Sequence, residues 1–180
     1  MLSSKSFNFK SLSTIGLIFY SLHFFSQNLS TEEKKLYDQI MKYRKSLYLP
    51  EIPLSSSLTI VAQTHVKDLE NNHPVYGNCN LHSWSSNGNW IPCCYTSDHA
   101  EASKMWSKPK ELTTYKGNGY EIAYSSSKAT AEGALEAWKS SSGHNAVMIN
   151  EGIWDSQWNA IGIGIYGGYA VVWFGREKDQ

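Results

Sequence analysis

The chain has 180 residues with 16 basic and 16 acidic side chains, and neither a basic block nor a lysine-rich face, which excludes nucleic acid as the expected partner. Its length suits one domain with enough chain to bury a real core. Aromatic residues make up 13% of it, with seven Trp and eleven Tyr, against 18% charged, a balance that suits an exported domain with extended loops.

Lys5 and Lys10 precede an uncharged apolar run from Ser11 to Phe25, followed by Ser26 and Gln27. This is the order of a secretory signal peptide. The run is too short for a membrane span of about 20 residues, and it contains His23. Residues 1–26 are therefore read as a signal peptide cut near Ser26, and residues 27–180 as a single domain. Cleavage removes two lysines and no acid, leaving a formal charge of −2. The expected location is extracellular or periplasmic, with no stable membrane span once the signal is removed. No cysteine lies near the cut, so a lipid anchor is not expected.

Ser30-Thr31-Glu32-Glu33 has the capping-box form, and Leu36, Ile40, Tyr43 and Leu47 recur at helical spacing, so the first helix is placed at Thr31 to Leu47. Pro50 and Pro53 end it. Ser55 to Ser57 offer caps for a second helix running to about Asn71, whose stripe is Leu58, Val61, Ala62, His65, Val66 and Leu69. A lone histidine on such a stripe reads as a buried, hydrogen-bonded core residue. From Asn71 to Tyr95 the chain is rich in Asn, Ser, Gly, Trp and Cys without helical period, a long loop region that includes His73, His82, Trp84 and Trp90. Asp98 is placed as the cap of a short helix through Met105, stopped by Pro109. Tyr115 to Tyr124 reads as a glycine-rich turn into a strand, and Ala129 to Ser140 as a helix with Ala134, Leu135 and Trp138 toward the core.

His144 follows Gly143 at the start of a short helical turn. Two apolar runs then flank Gly167-Gly168, which reads as a β-hairpin with a tight two-residue turn. Ile161, Ile163 and Ile165 share one face of its first strand, and Gly162 and Gly164 the other, where another element can approach closely. The returning strand, Tyr169 to Phe174, is apolar on both faces and should be covered on both.

The three cysteines are Cys79, Cys93 and Cys94. Export makes a disulfide the expectation. Adjacent cysteines rarely pair because the ring is strained, so Cys79 should join Cys93 or Cys94, closing a loop of about fourteen residues worth roughly 3 kcal/mol in the chain-entropy model.

No G-x-S-x-G, no H-E-x-x-H and no phosphate-binding loop occurs. What stands out is His82, Glu121 and His144, all in loops or at element ends. Two imidazoles and a carboxylate suit a zinc ion with an open position, and equally suit polar groups that tie loops to the core.

Three stretches carry a resemblance when taken together and in order: Leu58 to Leu69, Ala137-Trp138-Lys139-Ser140-Ser141-Ser142-Gly143-His144-Asn145, and the hairpin Ile161 to Phe174. Over about residues 32 to 175 the chain resembles the CAP superfamily, the cysteine-rich secretory, antigen 5 and pathogenesis-related-1 proteins, also called the SCP domain. The resemblance implies an α/β fold of the α+β type, a three-layer α-β-α sandwich with a central antiparallel sheet. It implies a cleft in which His144 matches the histidine of the family's G-H segment and His82 the other histidine. The family's G-E-N-[IL]-A segment falls on Gly119-Tyr120-Glu121-Ile122-Ala123, so that without a gap Tyr120 takes the acidic position and Glu121 the asparagine position. The implied cleft set is His82, Glu121, His144 and Tyr120, with a divalent cation such as zinc on His82 and His144. Because a one-residue offset in extended chain turns a side chain to the other face, Glu121 is expected to face away, leaving a two-histidine remnant. The second family acid is absent, since Ser141 stands three residues after Trp138. The implied function is a secreted, non-enzymatic domain that binds a small apolar ligand, lipid or sterol-like, or a divalent cation. A surface-interaction module with an extracellular partner and a metal-dependent hydrolase are the alternatives.

Overall fold

A computed structural model of the protein describes residues 29–179. The expected signal peptide and its cut lie outside the described residues.

The capping box forms as the sequence reads. The Ser30 hydroxyl accepts the Glu33 amide at 3.2 Å, and the Glu33 carboxylate accepts the Ser30 amide at 2.7 Å, starting α1 (Thr31–Ser46). Leu36 and Ile40 are buried along it, but so is Arg44, whose guanidinium donates to the Met148, Pro50 and Asn150 oxygens. Helix α2 (Ser56–Asn72) starts from Ser55, whose hydroxyl accepts the Leu58 amide at 2.9 Å.

Two local expectations need correction. Asp98 does not cap a helix: its carboxylate accepts from the Thr96 hydroxyl and the Ala100 amide in a turn, and α3 (Ala102–Trp106) begins later. Pro109 does not end structure either. It sits in the first turn of α4 (Lys108–Leu112), where its missing N–H would have no intrahelical partner and its fixed φ suits a helix start.

Strand β1 (Gly119–Ser125) precedes α5 (Ala131–Ser140) and α6 (Ser142–Ile149). A 3-10 turn at Gly152–Trp154 leads to the hairpin, β2 (Ala160–Tyr166) and β3 (Tyr169–Gly175). Of the turn glycines, only Gly167 has positive φ (56°), as at the first central position of a type II′ turn.

The sheet order is β1-β3-β2, antiparallel throughout. This is the expected three-layer α-β-α sandwich with a central antiparallel sheet. On one face Ile122, Val172, Phe174, Ile161 and Ile163 pack under α1, α5 and α6, with Trp138 and Trp158 filling the layer. On the other face α2 lies directly on the glycines of β2. A Cβ placed on Gly162 would stand 2.1 Å from the Leu58 carbonyl carbon, and one on Gly164 would stand 2.4 Å from the Ala62 oxygen. Side chains there would push the helix off the sheet.

The outer edge of β2 is covered. Pro53 and Ser55 exchange backbone hydrogen bonds with Ile161 at 3.0 and 2.8 Å, and the Glu33 carboxylate accepts the Ile165 amide at 3.1 Å. Strand β1, the other edge, is where the site forms.

Candidate functional site

The loop after α2 is tied by a disulfide between Cys79 and Cys94, with Cys93 left as a buried free thiol. Two backbone pairings hold the loop flat: the Asn80 amide donates to the Tyr95 oxygen at 2.8 Å, and Trp84 and Cys93 form an antiparallel bridge. Asn80 also accepts the His82 amide at 3.0 Å. His82 is thereby set against the edge of β1, and Ser83 is turned inward and fully buried.

Glu121 meets it from β1. Its carboxylate is fully buried, and Oε2 lies 2.7 Å from His82 Nδ1 while Oε1 is bonded to His65 Nδ1. This corrects the expectation that Glu121 faces away. The one-residue offset is present in the sheet, since Tyr120 and Glu121 lie on opposite faces of β1. His65 and His82, however, stand on Glu121's side, and a buried carboxylate needs the donors found there.

Reading the sequence did not assign His65 to the site. It is buried and hydrogen-bonded, as a stripe histidine should be, yet its partners make it part of the cluster. Its Nε2 lies 3.0 Å from the Ser83 carbonyl oxygen, which can only accept, so Nε2 carries a proton. One further proton lies between Nδ1 and Glu121. The ring stacks on Trp84 at 4.2 Å and 6°. Burial alone would push the Glu121 carboxyl up, but the His65 and His82 imidazoles together hold it below the usual carboxylate range. The carboxylate then accepts Nδ1–H from His82, so that the neutral ring would carry its lone pair on Nε2, which has no protein partner among the described residues.

His144 stands on α6, in the layer across the sheet, and is partly buried. Burial lowers its proton affinity, the field of His82 lowers it further and that of Glu121 partly restores it. It is electrostatically in reach of the pair and bonded to neither. Among the described residues no group of three or more His, Cys, Asp or Glu side chains is arranged to hold a metal ion. With both Glu121 oxygens engaged by imidazoles, the donor set does not fit a closed cation site.

The pair opens onto a hollow of about 440 Å³. One wall is polar: Asn80, His82, Glu121 and Tyr95, whose hydroxyl lies 2.7 Å from His99 Nδ1. The other is aromatic. Tyr120 has Trp106 at 5.8 Å and Trp154 at 5.3 Å between ring centres, and Arg176 lies 5.5 Å from the Tyr120 ring. Ile153 stands at the rim, 81% exposed. His144 is outside this lining. Trp106 and Trp154 sit in separate segments, and nothing in their sequence spacing unites them. A larger hollow along α1 is lined by Lys34, Lys35, Lys42 and Asp38 and gathers no comparable cluster.

Comparison with known proteins bears on the family and the fold. The sequence profile of the cysteine-rich secretory protein family, CAP, matches residues 37–172. A search of curated proteins returned no match. Among solved structures, an extracellular SCP-domain protein of Bacillus anthracis superposes with a TM-score of 0.58 at 20% identity, over 81% of this chain and 40% of that one. An outer surface protein of Borrelia burgdorferi gives 0.56 at 20% identity, over 83% of this chain and 97% of that one. A cysteine-rich secretory protein of Staphylococcus aureus gives 0.52 at 17% identity, over 81% and 38%. The chain thus spans less than half of two of these proteins and nearly all of the third. Among the described residues no helix is long and apolar enough to cross a membrane.

Proposed function

Because the chain belongs to the cysteine-rich secretory protein family, we propose that it is an exported, non-enzymatic binding protein holding a small ligand between the His82–Glu121 pair and the Trp106–Tyr120–Trp154 wall. Export is supported by the signal-like order of residues 1–26 and by the extracellular or surface character stated for the structural neighbours. The observation that carries the reading is the oriented imidazole: Glu121 fixes Nδ1–H of His82 and points a free acceptor at a hollow with an apolar far wall. Glu121 itself is disfavoured as a general base because its buried carboxylate already accepts from two imidazoles.

Native mass spectrometry of the secreted protein tests this. A retained small mass that is lost in His82→Ala supports the cleft; a wild-type protein that binds nothing, from the medium or added, overturns it. A second reading is a weakly held divalent cation on His82 and His144, favoured because burial lowers the proton affinity of His144 and so favours its neutral ring. In that case the retained mass is a metal, it is removed by chelator, and His144→Ala loses it. A lipid or sterol-like ligand would survive the chelator.

A further inference from the structure

The two walls of the hollow differ in chemistry, and we propose that the ligand they fit is an uncharged glycan, with a pyranose ring stacked on the Trp106–Tyr120–Trp154 wall. This rests on the reading of the hollow as the binding site and goes on to name what enters it.

Trp106, Tyr120 and Trp154 are each only partly buried while lining the hollow, and they meet at 52° and 68° rather than flat. Such a wall presents ring faces and edges in steps. Ring faces carry negative charge density, which attracts the polarised C–H bonds on the apolar face of a sugar. A pyranose also carries hydroxyls around its rim, each a donor and an acceptor. The opposite wall supplies their complements: the His82 Nε2 acceptor, the Asn80 amide, and the Tyr95–His99 pair.

Other ligand classes match less well. A hydrocarbon or sterol would strip water from Asn80 and His82 and return no hydrogen bond, which is costly. An anion would find no lysine or arginine in the lining, and the nearby Arg176 guanidinium already lies over the Tyr120 and Trp158 rings. An uncharged ring that is apolar on its face and polar on its rim satisfies both walls. Trp154 is carried outward on the Gly152–Trp154 turn, entered through two left-handed residues, Asn150 (φ 56°) and Gly152 (φ 63°). Ile153, exposed beside it, adds an apolar rim to the aromatic wall.

Tryptophan fluorescence and NMR titration of the full secreted chain test the proposal. The probes are N,N′-diacetylchitobiose, cellobiose and maltose, beside zinc chloride and phosphatidylcholine–cholesterol vesicles. At least one disaccharide should bind. Trp154→Ala and Trp106→Ala should each weaken it about tenfold, equivalent to about 1.4 kcal/mol, while Trp154→Phe retains most of the affinity. Circular dichroism separates loss of binding from loss of fold. Saccharide binding untouched in folded Trp154→Ala and Trp106→Ala overturns the placement. If no disaccharide binds but zinc or vesicles do, and His82→Ala abolishes that, the glycan is wrong and the binding cleft stands. Silence toward every probe overturns both.

Discussion

The carboxylate of Glu121 is bound to the imidazole of His65 where neither side chain reaches water. One comes from an edge strand and the other from the helix layered on the sheet, so the contact joins two layers as well as building the site. Replacing Glu121 by Gln leaves two imidazoles facing an amide. The expected loss of stability is about 3–5 kcal/mol, the range for breaking a buried pair from one side, measured by urea unfolding.

The pH dependence has two parts. Burial, with the field of His82, lowers the proton affinity of His144, so on acidification the unfolded chain protonates first, from about pH 6.5. Below that value the unfolded state binds more protons, and stability falls until the folded form protonates too. His144→Gln should flatten this part of the profile. Glu121 acts lower. Its carboxyl is held below the usual range, so its stabilisation is present above about pH 4.3 and is lost as pH falls through the depressed folded value. Urea midpoints measured across this range in wild type and in each variant resolve the two parts.

Non-reducing peptide mapping should recover Cys79 joined to Cys94, with Cys93 resisting alkylation until the protein unfolds, as a buried thiol whose proton affinity burial raises. The Cys79→Ser/Cys94→Ser double variant should lose roughly 3 kcal/mol. It should also weaken ligand binding, because the bridged loop carries Asn80 and His82, and Tyr95 follows it directly. Unchanged ligand affinity in the folded double variant would show that the loop keeps its shape without the bridge.

Gly162→Ala tests the close approach of α2. The added methyl would meet the Leu58 backbone, which cannot rotate away as a side chain could. A loss of about 1–3 kcal/mol or more is expected, whereas Gly143→Ala, which meets nothing within 4 Å, should be nearly neutral.

The parts of this fold that were legible are those set by local pattern. Ser30 and Glu33 announce the start of α1, the alternation of Ile161 to Ile165 with Gly162 and Gly164 announces both the strand and a face that another element can approach closely, and Trp138 sits where its spacing puts it. Arg44 was hidden because its buried guanidinium is matched partly by the Pro50 carbonyl nearby and partly by the Met148 and Asn150 oxygens, 104 and 106 positions away. The site was legible only as a set of names. Glu121 was misjudged because strand alternation says which residues share a face and is silent on which face the histidines occupy. His65 looked like any stripe residue, since nothing local shows that a carboxylate lies opposite. Trp106 and Trp154 become one wall only through Tyr120, which reaches both.

The covered edge of β2 has a consequence for the molecule among its own copies. An open strand edge is a template on which an identical chain can add, and sheets that leave one long and apolar tend to polymerise. Here Pro53 and Ser55 occupy the backbone of Ile161, and Glu33 takes the amide of Ile165 with a charged group. The same carboxylate that caps α1 therefore also closes the sheet. Removing it, as in Glu33→Ala, would expose an Ile-rich border to neighbouring copies and open a route to fibrous self-association.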